Sequence, residues 1–143
     1  MNIRIKRFDK EISLPEFKTE GAAAFDLCAR VAIEIQPRSI GYIPLNVAIE
    51  VPRGYFLMLV ARSSTHKKGL WMGNGIGVMD PDFSGDEDEY KAIYYNFTDK
   101  PVVVEKGERI AQGLIIKRED INWQEVEKME NKTRGGFGTT GTH

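Results

Sequence analysis

A single cysteine, Cys28, and two histidines, His66 and His143, are all that this 143-residue chain offers as thiol or imidazole ligands. One thiol cannot close an intrachain disulfide, and so few such residues exclude a Cys/His metal cluster and favour a reducing compartment. A surplus of charge is lacking too, because twenty basic residues face twenty-one acidic ones. That balance predicts no nucleic-acid groove and no membrane-binding face, so any phosphate chemistry must come from local arrangement. Long apolar runs are also missing, and the first twelve residues alternate charge with isoleucine, which is not the form of a signal peptide or a membrane span. The expectation is a cytoplasmic protein with one domain, the length being sufficient for a single core.

What is present is strand-like. Apolar and polar residues alternate over residues 3–5, 32–35, 47–51, 55–60, 90–97 and 109–116, the period of a half-buried strand. Glycine and proline punctuate the intervals at Gly21, Pro37, Pro52-Arg53-Gly54, Gly73-Asn74-Gly75, Ser84-Gly85 and Lys106-Gly107, a spacing that predicts an all-β barrel or sandwich. Residues 64–68 are the best helical candidate and residues 122–130 a weaker one. The chain closes on Gly135-Gly136-Phe137-Gly138-Thr139-Thr140-Gly141, too glycine-rich to pack by itself and read as a mobile arm. Residues 1–130 are therefore expected to form the β domain and residues 131–143 the arm.

Several segments carry chemistry against a bland background. Asp26 lies in a strand of small and apolar residues, as a satisfied structural acid or as a carboxylate that holds hydrated Mg²⁺ through water. Arg62-Ser63-Ser64 follows an apolar strand, either as a simple N-cap or as an anion site at a positive helix end. Gly73 to Gly85 reads as a glycine-bearing hairpin and an acidic turn, in which backbone groups and Asn74 can meet a pyrimidine edge and Asp80 can act as a general base. Asp80, Asp82, Ser84 and Gly85 mimic a calcium loop, but Lys91 occupies the place of its bidentate glutamate, and strands surround it, so calcium is rejected. The run Asp86-Glu87-Asp88-Glu89 is expected to be a solvated loop tip. Arg109 and Gln112 are ordinary strand residues taken alone, although Gln112 can donate to phosphate oxygens.

Taken in order, these segments resemble the trimeric dUTPase family from Ala23 to Gly141. Ala24-Phe25-Asp26-Leu27 is similar to its first motif, Arg62-Ser63-Ser64 to the second and Asn74 through Gly85 to the third. Arg109-Ile110-Ala111-Gln112 and Gly136-Phe137-Gly138-Thr139-Thr140-Gly141 are similar to the fourth and fifth. The resemblance implies an all-β, distorted jelly-roll protomer in a homotrimer whose three sites are shared. Motifs one, two and four would come from one subunit, the third from another and the arm from the last. It implies hydrolysis of dUTP to dUMP and pyrophosphate with Mg²⁺, keeping uracil out of DNA and supplying dUMP for thymidylate synthesis. Carried over by position, Asp80 activates water, Asp26 helps to hold Mg²⁺ through water, and Arg62, Ser63, Ser64 and Gln112 bind phosphates. Asn74, Gly77 and Met79 select uracil, Phe83 packs on deoxyribose where the family commonly has tyrosine, and Phe137, Gly138 and Thr139 cover the nucleotide. Lys132 or Arg134 binds the γ-phosphate. The related dCTP deaminases need a glutamate where alignment on Asn96 puts Ile93, and an isoleucine cannot relay protons. A nucleotide-binding regulator without catalysis is disfavoured by the presence of Asp80.

Overall fold

A computed structural model describes residues 1–142. Among them the strands are β1 (Arg4–Arg7), β2 (Phe25–Cys28), β3 (Ile33–Ile35), β4 (Ile40–Pro44), β5 (Val47–Glu50) and β6 (Tyr55–Ala61). A 3-10 turn (Thr65–Lys68) leads into β7 (Leu70–Met72), β8 (Gly77–Met79), β9 (Lys91–Asn96), β10 (Val102–Val104) and β11 (Arg109–Lys117). The protein is all-β, as the alternation and the turn residues predict.

All pairings are antiparallel, in sheets of order β1-β5, β10-β3, β2-β11-β6-β8 and β4-β9-β7. Their inner faces meet in one core that includes Leu27, Ile35, Ile43, Leu57, Leu59, Tyr94, Val104 and Ile110. Strand β9 follows the period of two, with Ala92, Tyr94 and Asn96 buried and Lys91, Ile93 and Tyr95 turned outward. Asn96 is a polar core residue without an orphaned group. Its amide donates to the carbonyls of Ile35 and Lys100, and its oxygen accepts from the backbone and hydroxyl of Thr98.

Strands β4, β7 and β10 are not among the alternating runs. In β4, Gly41 breaks the pattern for a steric reason, since a Cβ there would stand 2.6 Å from the Ile35 side chain. The weak helical signal over residues 122–130 does not form a helix. Strand structure stops at Lys117, and the backbone bond from Arg118 N–H to Gly54 O, 2.7 Å long, ties that end to the body.

Candidate active site

Strand β11 gathers the first part of the site. Gln112 lies opposite Asp26 on one side and Val60 on the other, so these residues share a face. Arg62, two positions beyond Val60, continues that face. In a regular strand Arg109, three residues before Gln112, would point the other way. A β-bulge between Arg109 and Ala111 inserts one residue and sets Arg109 opposite Cys28, on the face of Asp26. The two Asp26 oxygens are consequently shared out: Oδ1 accepts from Arg62 Nε at 3.0 Å and Oδ2 from Arg109 Nη1 at 2.9 Å. Arg62 Nη1 also donates to the Arg109 carbonyl, and Gln112 Nε2 to the Ala61 carbonyl. Arg109 thus joins the candidate site, a residue that sequence reasoning left out because nothing local announces the bulge that turns it inward. Beside it, burial and the Asp26 charge push the Cys28 thiol up, which favours its protonated form.

Ser63 and Ser64 stand exposed at the start of the 3-10 turn. Ser64 occupies the N-cap position, but its hydroxyl makes no capping bond. The expected helix end is a turn of four residues, too short for a useful dipole, so the groups this segment could offer an anion are the Arg62 guanidinium and the two hydroxyls.

The third segment is a tight turn and not the expected hairpin. Its flanking strands do not pair with each other, since β7 bonds to β9 and β8 to β6. Between them Gly75 N–H donates to Met72 O and Ile76 N–H to Asn74 O, with Gly75 at a φ of 70°. Strand β8 is therefore the edge of its sheet, its outer backbone groups free of a strand partner. Gly77 has to be small, because a Cβ there would meet Leu59 Cβ at 3.0 Å. Ile93 sits at the base of the turn, its carbonyl accepting from Gly73 N–H at 2.8 Å. Asp80 follows β8 with its side chain exposed, and Phe83 closes the acidic turn with 40% of its surface exposed.

The single chain does not bring Asp80 to Asp26. The two lie three strand spacings apart across β2-β11-β6-β8. Asp80 also falls opposite Phe56, four residues along β6 from Val60. At about 4.8 Å between strands and about 3.3 Å per residue, the separation is on the order of 20 Å. Lys132, Arg134, Phe137, Gly138 and Thr139 are likewise exposed. A cleft of about 630 Å³, lined in part by Lys106, reaches this cluster at Asp26, Cys28 and Arg109 but includes neither the turn nor the arm.

The sequence profile of the family described as dUTPase matches residues 10–141. The chain belongs to the dUTPase family. Curated relatives are named deoxyuridine 5′-triphosphate nucleotidohydrolase. That of Dictyoglomus turgidum is 36% identical over 99% of both chains, and that of Hydrogenobaculum sp. 37% identical over 99% of both. The dUTPase of Streptococcus mutans is 32% identical, with a TM-score of 0.76 over 83% of this chain and 98% of that one. A dUTPase of Staphylococcus bacteriophage 80alpha, solved with dUPNHPP, has a TM-score of 0.86 over 99% of both chains at 23% identity, a likeness of fold. The chain is accordingly an enzyme, a dUTP diphosphatase.

The residues of this dUTPase suit a metal held mostly by its substrate. Among the described residues no three His, Cys, Asp or Glu side chains converge to hold an ion. Asp26 spends one lone pair of each oxygen on a guanidinium, which leaves acceptor sites for water bound to a cation. This donor set fits an outer-sphere contact and not a direct protein cage.

Proposed function

We propose that this dUTPase hydrolyses dUTP to dUMP and pyrophosphate in Mg²⁺-dependent, homotrimeric sites built from all three chains. The observation that carries the reading is the division of the candidate residues. Asp26, Arg62, Arg109 and Gln112 share one sheet face, while Asp80 lies on the order of 20 Å away on the same sheet. Neighbouring copies related by a threefold axis can supply what one chain separates. In this reading residues 1–130 are the barrel domain, and residues 131–143 form an arm that reaches a third subunit and orders over bound nucleotide.

The phosphate cluster receives the triphosphate. Arg62, Ser63, Ser64 and Gln112 bind its oxygens, with Ser63 near the oxygen that bridges the α- and β-phosphorus. Asp80 of a neighbouring copy takes a proton from water as its oxygen attacks the α-phosphorus in line. The bond to the bridging oxygen breaks on the opposite side, and pyrophosphate leaves with the electron pair. No covalent enzyme intermediate forms, so catalysis rests on positioning and electrostatics. Asp26 would hold a bound Mg²⁺ through water, and the ion would supply charge neutralisation on the triphosphate.

Uracil is read by the open edge of β8 with Asn74, Gly77 and Met79, and Phe83 lies against deoxyribose. Phe137, Gly138 and Thr139 cover the nucleotide, with Lys132 or Arg134 on the γ-phosphate. Ile93 at the base of the turn offers no proton relay, which argues against deamination. The enzyme would serve in the cytoplasm to keep uracil out of DNA and to supply dUMP for thymidylate synthesis. The test is incubation with dUTP, dCTP, dTTP and UTP plus Mg²⁺ and identification of the products. Cleavage of dUTP alone to dUMP and pyrophosphate is expected, and turnover of dCTP to a uracil nucleotide would overturn the assignment.

A further inference from the structure

The acidic run between Phe83 and β9 is exposed at Asp86 and Glu87, as its composition predicts, but turns inward at Glu89. Asp86 is held by Lys6, whose ammonium donates to its carbonyl at 2.7 Å. Asp88 Oδ2 accepts from Gly85 N–H. Glu89 is largely buried, its side chain 9% exposed. Its Oε1 accepts from Arg30 Nε at 2.7 Å and from Asn46 N–H at 3.0 Å, and its Oε2 from Arg30 Nη2 at 3.0 Å. Asn46 is buried in a left-handed conformation with φ 70°, its amide exchanging bonds with the Asp9 backbone. This clamp delivers the next residue, Tyr90, into the core with no exposed surface. The Tyr90 N–H donates to Val47 O, its carbonyl accepts from Leu45 N–H, and its hydroxyl donates to Ile49 O at 3.2 Å. Phe83 stacks on this fixed ring, with centroids 6.1 Å apart and planes 12° apart, within the range of favourable aromatic pairs.

We propose that Tyr90, seated by the Glu89–Arg30 clamp, is the positioning residue that holds Phe83 against the sugar and thereby sets the rejection of ribonucleotides. The inference rests on the reading that Phe83 meets deoxyribose. A 2′-hydroxyl is excluded only as far as the ring that blocks it cannot yield. An apolar wall by itself discriminates weakly against an added hydroxyl. An exposed phenylalanine can rotate away, whereas one backed by an immobile ring loses that freedom on one side. The four-residue segment from Asp86 to Glu89 thus has a purpose: it bridges the acidic turn to a strand start where Tyr90 lies beneath Phe83.

The test is the ratio of kcat/KM for UTP to that for dUTP, measured on the full chain. Tyr90→Leu, which removes the ring, should raise the ratio about tenfold, mainly through a lower KM for UTP. Tyr90→Phe keeps the ring and should retain the parent ratio. Arg30→Met, which loosens the clamp from outside the core, should raise the ratio at least threefold and tests the same link even if Tyr90→Leu does not fold. An unchanged ratio in Arg30→Met or in folded Tyr90→Leu would overturn the inference. Phe83→Leu separates the two levels. If that variant also leaves the ratio unchanged, the sugar-facing role of Phe83 has failed; if it raises the ratio while the others do not, only the role of Tyr90 has failed.

Discussion

Replacing Arg30 by methionine keeps an alkyl stem of similar reach and removes both guanidinium bonds to Glu89. The carboxylate then stays largely buried with the Asn46 N–H as its one remaining donor. Breaking a buried ion pair by removing one partner costs about 3–5 kcal/mol. Arg30 is a third exposed, and water can enter where it stood, so the expected cost is about 2–3 kcal/mol. With a urea m-value of about 2 kcal/mol/M, that moves the unfolding midpoint down by roughly 1 M. The measurement is urea unfolding followed by fluorescence, with parent and variant at one protein concentration, since the stability of the proposed trimer depends on it. Adding Glu89→Gln to Arg30→Met removes the stranded charge while preserving an acceptor for Asn46, and should restore at least half of the loss. A shift below about 0.3 M, or no recovery in the double variant, would refute a buried and paired Glu89.

Other perturbations reach different parts of the molecule. Asp80→Asn should lower kcat about 10²- to 10⁴-fold while calorimetry records near-parent affinity for a non-hydrolysable dUTP analogue, and full turnover would remove Asp80 from the mechanism. Deleting residues from Arg134 onward should reduce turnover at least about tenfold without lowering the melting temperature, because the tie of this end to the body lies earlier, at Arg118. Between Lys132→Ala and Arg134→Ala, the larger rise in KM for dUTP identifies the γ-phosphate ligand, and equal small effects would exclude both. Burial pushes Tyr90 and Tyr94 up to about 12. The unfolded chain releases these protons at about pH 10, so the folded form holds more protons between pH 10 and about 12 and stability falls as pH rises through that window. The slope is on the order of 1.4 kcal/mol per pH unit for each tyrosine. Urea midpoints measured at pH 9, 10 and 11 should decline accordingly, with a smaller slope in Tyr90→Phe, and a flat profile would contradict the burial argument.

Some features were legible in the order of residues because their causes are local. Alternation of apolar and polar side chains along β6, β9 and β11 is set by the strand period itself, and turn chemistry at Gly54, Gly75 and Gly107 depends on a few neighbouring dihedrals. The five motifs and the family were readable for the same reason, as were the residue types that phosphate and base chemistry require. Pairing between distant segments has no such local sign. That β7 and β8 join different sheets, that a bulge turns Arg109 toward Asp26, and that Glu89 is buried against Arg30 across 59 residues of sequence all follow from which strands find each other in space. An acidic run reads as solvated until a cation is brought to it in the folded chain. Residue order alone was therefore enough for an all-β dUTPase and for the candidate groups of its site. Which of those groups share a face, and which lie a sheet's width apart, depended on the folded arrangement, because strand register turns positions far apart in sequence into neighbours or holds them apart.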